Sequence, residues 1–239
     1  MLSVAMAEPA RLTEEGAAAL AAEAMRFVAS GQVVGLGTGQ AATTFVRALG
    51  QRVAGGLDVR GVPTSEETAT LARQLGIKLV TLDDVEAVDV AVDGADEVDA
   101  RANLIKGYGG ALLREKVVAS VARRFVVLVG VEKLVPVLGS RHRLPLEVVP
   151  FASRPCRRRL EAMGYPADVR TADGRPVLTD NGNLLLDCRV GLIADARALD
   201  SSIRAIPGVV DTGLFLDMAP TVLVWDGVRC RTLPREARN

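Results

Sequence analysis

Short apolar runs alternate with helical patterns through the first half of the chain. Valine-rich runs typical of strands occupy 33–36, 59–62, 78–82, 88–92 and 125–129, and helical patterns occupy 13–30, 41–49, 65–75 and 111–122. This alternation predicts an α/β fold, a Rossmann-like parallel sheet covered by helices on both faces. Ligands of such sheets bind outside the carboxyl ends of the strands.

After Pro136 the pattern changes and predicts a second, smaller α+β domain. A strand between Pro145 and Pro150 precedes a helix at 153–163, and the turn dipeptides Asp-Gly and Asn-Gly separate short strands beyond it. Such dipeptides between apolar runs are typical of hairpins.

The last apolar runs, 209–216 and 221–225, are expected to return to the main sheet as strands. The predicted division is therefore a Rossmann-like catalytic domain of residues 1–140 plus 207–239, and a small α+β domain of residues 141–206.

The charge balance argues against a nucleic-acid partner. Lys plus Arg and Asp plus Glu number 29 each, so the chain has no overall basic field. No apolar run reaches the ~18 residues that span a bilayer, so no membrane segment is expected either. Residues 1–11 are expected to form a loose leader.

Cysteine and histidine usage excludes several kinds of site. Cys156, Cys188 and Cys230 are odd in number and form no CxxC pair, which predicts a reducing, cytoplasmic setting rather than a disulfide framework. The only histidine, His142, lies in a polar stretch, so a histidine metal site or a catalytic triad is not expected. No metal is predicted.

Four glycine-rich or polar segments are candidate ligand-binding loops. They are GLGTG at 35–39, PTSEET at 63–68, DGADE at 93–97 and KGYGG at 106–110. Glycine turns that open helices favour anions, and crowded carboxylates need a compensating charge. Each segment also has a structural explanation: a tight turn, a helix cap, a solvated acidic turn, or the exposed Glu-Lys face of a helix.

Together these residues suit enediol chemistry. Glu115 can move a carbon-bound proton, Lys106 can neutralise an oxyanion, and two aspartates, Asp93 and Asp96, can handle hydroxyl protons. No redox cofactor is needed for such transfers. Ala42 breaks the GxGxxG spacing of dinucleotide loops, and no cofactor is predicted.

The ordered motifs GLGTG, PTSEET, DGADEVD, IKGYGGALLREK and VEKLVPVLG resemble those of type A ribose-5-phosphate isomerases. The resemblance continues through LPLEVVP, TDNGN and IPGVVDTGLF and covers nearly the whole chain. Any single motif could arise by chance, whereas their order and spacing could hardly do so.

This resemblance implies a metal-independent isomerase that interconverts ribose 5-phosphate and ribulose 5-phosphate through an enediolate. It implies Glu115 as the base, Asp93 and Asp96 at the sugar hydroxyls and in ring opening, and Lys106 against the open-chain substrate. The substrate-binding residues that it implies are Thr38, Gly39, Gln40, Ala41, Gly94, Ala95, Gly107, Tyr108, Gly109 and Lys133. The expected partner is a small sugar phosphate, and the expected assembly is a homodimer or homotetramer.

One motif departs from the family pattern. The family usually has Gly-Thr-Gly-Ser-Thr where this chain has Gly-Thr-Gly followed by Gln40 and Ala41, which removes two hydroxyls from the phosphate side of the site. The proton-transfer residues are all present.

Two other functions remain open at this stage. A sugar-phosphate sensor domain would have the same general architecture but would not need Glu115 together with Asp93 and Asp96. A coenzyme A transferase would use Glu115 or Glu97 as a nucleophile to form a thioester.

Overall fold

The computed structural model describes residues 12–141 and 143–234, so His142 and the predicted leader at 1–11 lie outside it. Its α-helices, in chain order, are α1 (Glu14–Ala24), α2 (Gln40–Ala54), α3 (Glu66–Gln74), α4 (Leu112–Ser120), α5 (Ser153–Ala162) and α6 (Ala196–Arg204). Within this part of the chain, no helix has the length and apolar composition that crossing a membrane requires.

The strands form one large sheet and three smaller ones. In chain order they are β1 (Val33–Leu36), β2 (Arg60–Pro63), β3 (Lys78–Leu79), β4 (Val90–Gly94), β5 (Glu97–Val98), β6 (Leu104–Ile105), β7 (Phe125–Gly130), β8 (Leu144–Val148), β9 (Ala167–Val169), β10 (Thr171–Ala172), β11 (Arg175–Pro176), β12 (Leu184–Cys188), β13 (Val209–Thr212), β14 (Leu214–Phe215), β15 (Thr221–Trp225) and β16 (Cys230–Thr232).

The seven-stranded sheet has the order β16-β15-β7-β4-β1-β2-β3 and is parallel except at β16. Its central strands β1 and β7 are buried along their whole length, which explains their continuous apolar sequences. Strand β1 pairs with both β2 and β4, so the strand order reverses at β1. Ligands bind at such switch points, and the predicted α/β fold is confirmed.

Two hydrophobic cores cover the faces of this sheet. On one face Leu20 of α1 and Phe45 of α2 pack against strand residues such as Val92. On the other face Val118 of α4 packs with Phe215. The predicted helix at 13–30 is shorter than expected, because α1 ends at Ala24 and a single 3₁₀ turn follows.

A third core belongs to the four-stranded antiparallel sheet β13-β8-β12-β9 and to helices α5 and α6. This smaller α+β unit agrees with the predicted pattern after Pro136. The Asp-Gly turn joins β10 and β11, where Asp173 and Gly174 have φ of 50° and 73° as a tight hairpin turn requires.

The prediction that 209–216 returns to the main sheet is wrong. Residues Val209–Thr212 pair with β8 in the small sheet, and Leu214–Phe215 pair with β6 in a separate three-stranded sheet. Gly213 divides the run, and its N–H donates to Pro145 O. An apolar run indicates that a strand is buried but does not identify its partner. Of the two predicted runs, only 221–225 joins the main sheet, as β15. The exact domain boundaries stay a prediction.

We predict that Gly16→Ala destabilises the protein, although alanine normally favours a helix over glycine by about 1 kcal/mol. A Cβ built on Gly16 would lie 2.5 Å from Cδ1 of Trp225, so α1 would be pushed away from β15. The expected loss in the free energy of unfolding is about 1–3 kcal/mol, measured by urea denaturation.

The fluorescence of Trp225, the only tryptophan, should shift in the same variant. Ala18→Gly, at an exposed position of α1, is the control for helix propensity alone. A Gly16→Ala protein as stable as the wild type would contradict the packing argument.

Candidate active site

A pocket of about 980 Å³ lies at the carboxyl ends of β1, β4 and β7. Thirteen of the fourteen predicted site residues line it: Thr38, Gly39, Gln40, Ala41, Gly94, Ala95, Asp96, Lys106, Gly107, Tyr108, Gly109, Glu115 and Lys133. The fourteenth, Asp93, is buried directly behind Lys106. The loops that the sequence places after separate strands therefore meet at one sheet edge.

Lys106 connects the charged groups of this pocket. Its Nζ lies 3.1 Å from Oδ2 of Asp93 and 3.3 Å from Oε2 of Glu115, and it donates a 2.6 Å hydrogen bond to Gly94 O. All three charged side chains are at most 5% exposed. One buried cation thus compensates two buried carboxylates.

Burial raises the pKa of Glu115 to about 8, and the nearby Asp93 acts in the same direction while Lys106 opposes it. The pKa of Asp93 is also raised by burial, with Lys106 opposing. Burial alone would lower the pKa of Lys106, but the two carboxylates outweigh it and raise that pKa. Lys106 is therefore a permanent cation beside a carboxylate that exchanges its proton near neutral pH.

One oxygen of the Glu115 carboxylate is paired by charge with Lys106 but accepts no hydrogen bond within the described part of the chain. Its Oε2 is buried and receives no hydrogen bond from any described residue, although Lys106 Nζ is close. The carboxylate lies in the first turn of α4, where the helix dipole favours a negative charge. The alternative of a surface Glu-Lys helix face is wrong for this residue, because Glu115 faces the pocket.

The neighbours of Glu115 fasten α4 to the small α+β unit. Arg114 donates to Oδ1 of Asn181 and to Oε1 of Glu66, both at 2.9 Å. Lys116 donates to Oδ1 of Asp211 at 2.7 Å. Residues on either side of the carboxylate therefore bind two different elements, which fixes the first turn of α4 over the pocket.

The first glycine turn packs directly on Asp93. A Cβ on Gly37 would lie 2.3 Å from Oδ1 of Asp93, and the Thr38 N–H donates to that oxygen at 3.1 Å. Helix α2 then begins at Gln40, after Gly39 with φ of 99°. The start of this fifteen-residue helix lines the pocket, where its N–H groups can bind an anion.

The hydroxyls of PTSEET serve the fold rather than the pocket wall. Ser65 caps α3 by accepting from the Thr68 N–H, and the Thr64 hydroxyl donates to Leu36 O. Thr38 Oγ1 lies 2.8 Å from Thr64 Oγ1 and donates to Ser65 Oγ. The capping explanation of this motif is confirmed, and the same hydroxyls orient Thr38.

The acids of DGADE separate into different roles. Asp96 lines the pocket and accepts from the Tyr108 N–H at 2.9 Å, so it holds the glycine loop. Glu97 is fully buried and accepts from the N–H groups of Gly139 and Arg141. It does not line the pocket, which removes Glu97 as a nucleophile.

Several residues of the pocket wall were not predicted from the sequence. They are Leu12, Leu128, Val129, Gly130, Glu132 and Arg141. Glu132 precedes Lys133 in one of the recognised motifs and Gly130 lies directly before that motif, so proximity was an available signal. Leu12 lies far from every recognised motif, and Arg141 lies between two of them without belonging to either. Among residues 12–141 and 143–234, no group of three or more His, Cys, Asp or Glu side chains could hold a metal ion.

Comparison with known proteins identifies the family of this chain. The family model described as ribose 5-phosphate isomerase A (phosphoriboisomerase A) matches residues 60–227. Ribose-5-phosphate isomerase A of Roseiflexus sp. strain RS-1 is 55% identical over 207 residues, covering 85% of this chain and 89% of the relative. The Thermomicrobium roseum protein of the same name is 51% identical over 218 residues, covering 89% and 92%.

Solved structures give the same result. Ribose 5-phosphate isomerase A of Methanocaldococcus jannaschii has a TM-score of 0.87 and 44% identity, over 93% of this chain and 99% of its own. A D-ribose-5-phosphate isomerase in complex with phospho-erythronic acid has a TM-score of 0.89 and 39% identity, with the same coverage. The chain belongs to the ribose 5-phosphate isomerase A family.

Proposed function

We propose that this protein interconverts ribose 5-phosphate and ribulose 5-phosphate, a step of the non-oxidative pentose phosphate pathway. The observation that carries the proposal is the buried pair of Glu115 and Lys106 in the wall of a pocket large enough for a pentose phosphate. Family membership supports the same reaction, and a related enzyme has been solved with phospho-erythronic acid, a sugar-acid phosphate.

Glu115 is the proposed base. It takes the proton from C2 of the open-chain aldose, and the released electron pair forms the C1–C2 double bond while the aldehyde oxygen becomes negative. The C2 hydroxyl then gives its proton to the O1 oxyanion, and C1 takes the first proton back from Glu115 as the C2 oxygen becomes the ketone, so O1 ends as a hydroxyl. Because one carboxylate faces both carbons, a single base serves both halves of the reaction.

Lys106 is the proposed electrostatic partner of the enediolate. A protonated amine in a buried pocket stabilises a developing oxyanion more strongly than it would in water. Asp93 and Gly94 O keep this ammonium group in place. Lys106 also stabilises the ionised form of Glu115, so one cation helps both the base and the intermediate.

Asp96 is proposed to contact the sugar hydroxyls and to assist ring opening, because its carboxylate reaches the pocket wall. Asp93 accepts from the N–H groups of Thr38 and Gly94 and pairs with Lys106. These contacts support a role in which Asp93 holds the ammonium group of Lys106 in place. Direct contact of Asp93 with the sugar hydroxyls stays a prediction.

The phosphate is proposed to bind at the start of α2. Gly39, Gln40 and Ala41 provide backbone N–H groups at a helix N-terminus, and Lys133 contributes a positive charge to the same pocket. These groups require no hydroxyl from the side chains at 40 and 41.

We also propose a cytoplasmic location, a homodimer or homotetramer, and the two domains predicted from the sequence, with Val209–Thr212 assigned to the small domain because it pairs with β8. Three free cysteines support a reducing compartment. The separate core of the small sheet supports a second domain near 141–206. The proposed assembly depends on the family resemblance.

The first prediction for this reaction concerns the base. Glu115→Gln should lower kcat by at least ~10²-fold, because an amide cannot accept the proton from carbon. Turnover of ribose 5-phosphate is measured with chelator present. Glu67→Gln, at an exposed position of α3, should remain as active as the wild type. A Glu115→Gln enzyme within tenfold of the wild type would rule out this base.

The second prediction concerns pH. Because Glu115 must be ionised to accept a proton and burial raises its pKa to about 8, kcat/KM should still be rising with pH above neutrality. The profile is measured from about pH 5 to about pH 9.5. The substrate phosphate has a pKa of about 6 and gives a separate step in the pH profile. A plateau reached by about pH 6 would mean that Glu115 titrates as an ordinary carboxylate.

The third prediction concerns the phosphate. The double change Gln40→Ser and Ala41→Thr adds two hydroxyls at the start of α2, so KM for ribose 5-phosphate should fall about 5-fold or more at constant kcat. Turnover of unphosphorylated ribose should not change. Gln51→Ser, at the other end of α2, is the control. An equal change for both sugars would place the phosphate elsewhere.

A further inference from the structure

An arginine of the small unit holds the glycine loop of the pocket from outside. Arg170 follows β9 and donates from Nε and Nη2 to the two oxygens of Asp187 in β12, with Nε 3.0 Å from Oδ2. This two-point contact fixes the plane of the guanidinium group. Both side chains are largely buried.

The remaining donor group of Arg170 faces the loop. Nη1 donates to Gly107 O at 2.9 Å and to Tyr108 O at 2.8 Å. The guanidinium also lies 5.6 Å from the centroid of the Tyr108 ring. Lysine could not reproduce this arrangement, because it lacks the planar set of donors.

These contacts determine which way one peptide N–H points. In a trans peptide the C=O and the following N–H point in opposite directions, and the described residues contain no cis peptide. Because Tyr108 O faces Arg170, the Gly109 N–H faces away from it. Gly109 lines the pocket, whereas Arg170 does not.

The Gly109 N–H also lacks a competing acceptor. It makes no hydrogen bond to any residue that the structure describes, whereas the preceding Tyr108 N–H donates to Asp96. A pocket-facing backbone donor without an internal partner is suited to a negatively charged oxygen. Gly109 is only three residues from Lys106 in the same loop.

We propose that Arg170 is a positioning residue that holds the Tyr108–Gly109 peptide so that its N–H donates to the enediolate oxygen. The inference rests on the proposed isomerase function and extends it to a residue outside the pocket. The charge of Arg170, bound to two carbonyl oxygens, also polarises these peptides toward the substrate. The small unit thereby contributes to the reaction without touching the sugar.

The test compares Arg170→Ala and Arg170→Lys with the wild type on ribose 5-phosphate. Misplacement of a transition-state donor should lower kcat by about 10²-fold in the alanine variant. KM should change less than about threefold, because the donor acts mainly on the charged intermediate. The lysine variant keeps a cation beside Asp187 and should lose most of the same activity, so it decides the result if the alanine variant does not fold.

Binding of phospho-erythronic acid is the second readout. Its carboxylate carries the negative charge that the enediolate oxygen would carry, so its affinity should fall in parallel with kcat. Arg189→Ala is the matched control, because Arg189 pairs with Asp168 on the same small sheet and does not contact the loop. It should keep the kcat and analogue affinity of the wild type.

The inference is overturned if both Arg170 variants keep kcat and analogue affinity within threefold of the wild type. It is also overturned if kcat falls only in proportion to the folded fraction measured by thermal denaturation, which is what a purely structural role would give. Absence of ribose 5-phosphate turnover by the wild type would instead contradict the proposed function. Weaker analogue binding by the Arg170 variants would remain measurable in that case.

Discussion

The sharing of Lys106 between Asp93 and Glu115 is the interaction on which the rest of the site depends. Without Lys106, whose Nζ lies within 3.3 Å of both carboxylates, the buried Asp93 and Glu115 could not both ionise. Without the carboxylates, a buried lysine would lose its proton. The cluster is costly to desolvate, and backbone groups offset part of that cost by hydrogen bonding to Asp93 and to the Lys106 ammonium group. The same cost of burial raises the pKa of Glu115 to about 8, which suits its proposed role as a base.

The main sheet and its loops carry the proposed reacting groups, but the small unit holds them in place. Arg114 and Lys116 bind elements of that unit on either side of Glu115, and Arg170 reaches across to the glycine loop. Asp211, the partner of Lys116, lies on a strand of the small sheet. The geometry of the pocket therefore depends on ion pairs and hydrogen bonds that cross between the two units. A change at this junction alters the site without altering any residue that meets the sugar.

Regular periodicity made the main sheet predictable, because buried parallel strands read as continuous apolar runs and helices show their own period. The destination of 209–216 was not predictable, since pairing with β8 or with the main sheet buries the same side chains. The convergence of the loops followed from the switch point of the sheet. The burial of Glu115 did not follow from Arg-Glu-Lys, because it depends on the packing of the α4 face that also buries Leu112 and Val118. The position of Arg170 depends on tertiary pairing with Asp187, which leaves no local pattern.

The packing of α1 against β15 joins two elements that are about 200 residues apart in the sequence. During synthesis one edge of β7 has no neighbouring strand until residues 221–225 have left the ribosome. The Lys106 N–H likewise lacks its acceptor, Gly213 O, until that residue has been added. An unpaired apolar strand is prone to aggregate and invites capture by chaperones. A nascent chain of this protein therefore exposes this edge of β7 until β15 has been synthesised.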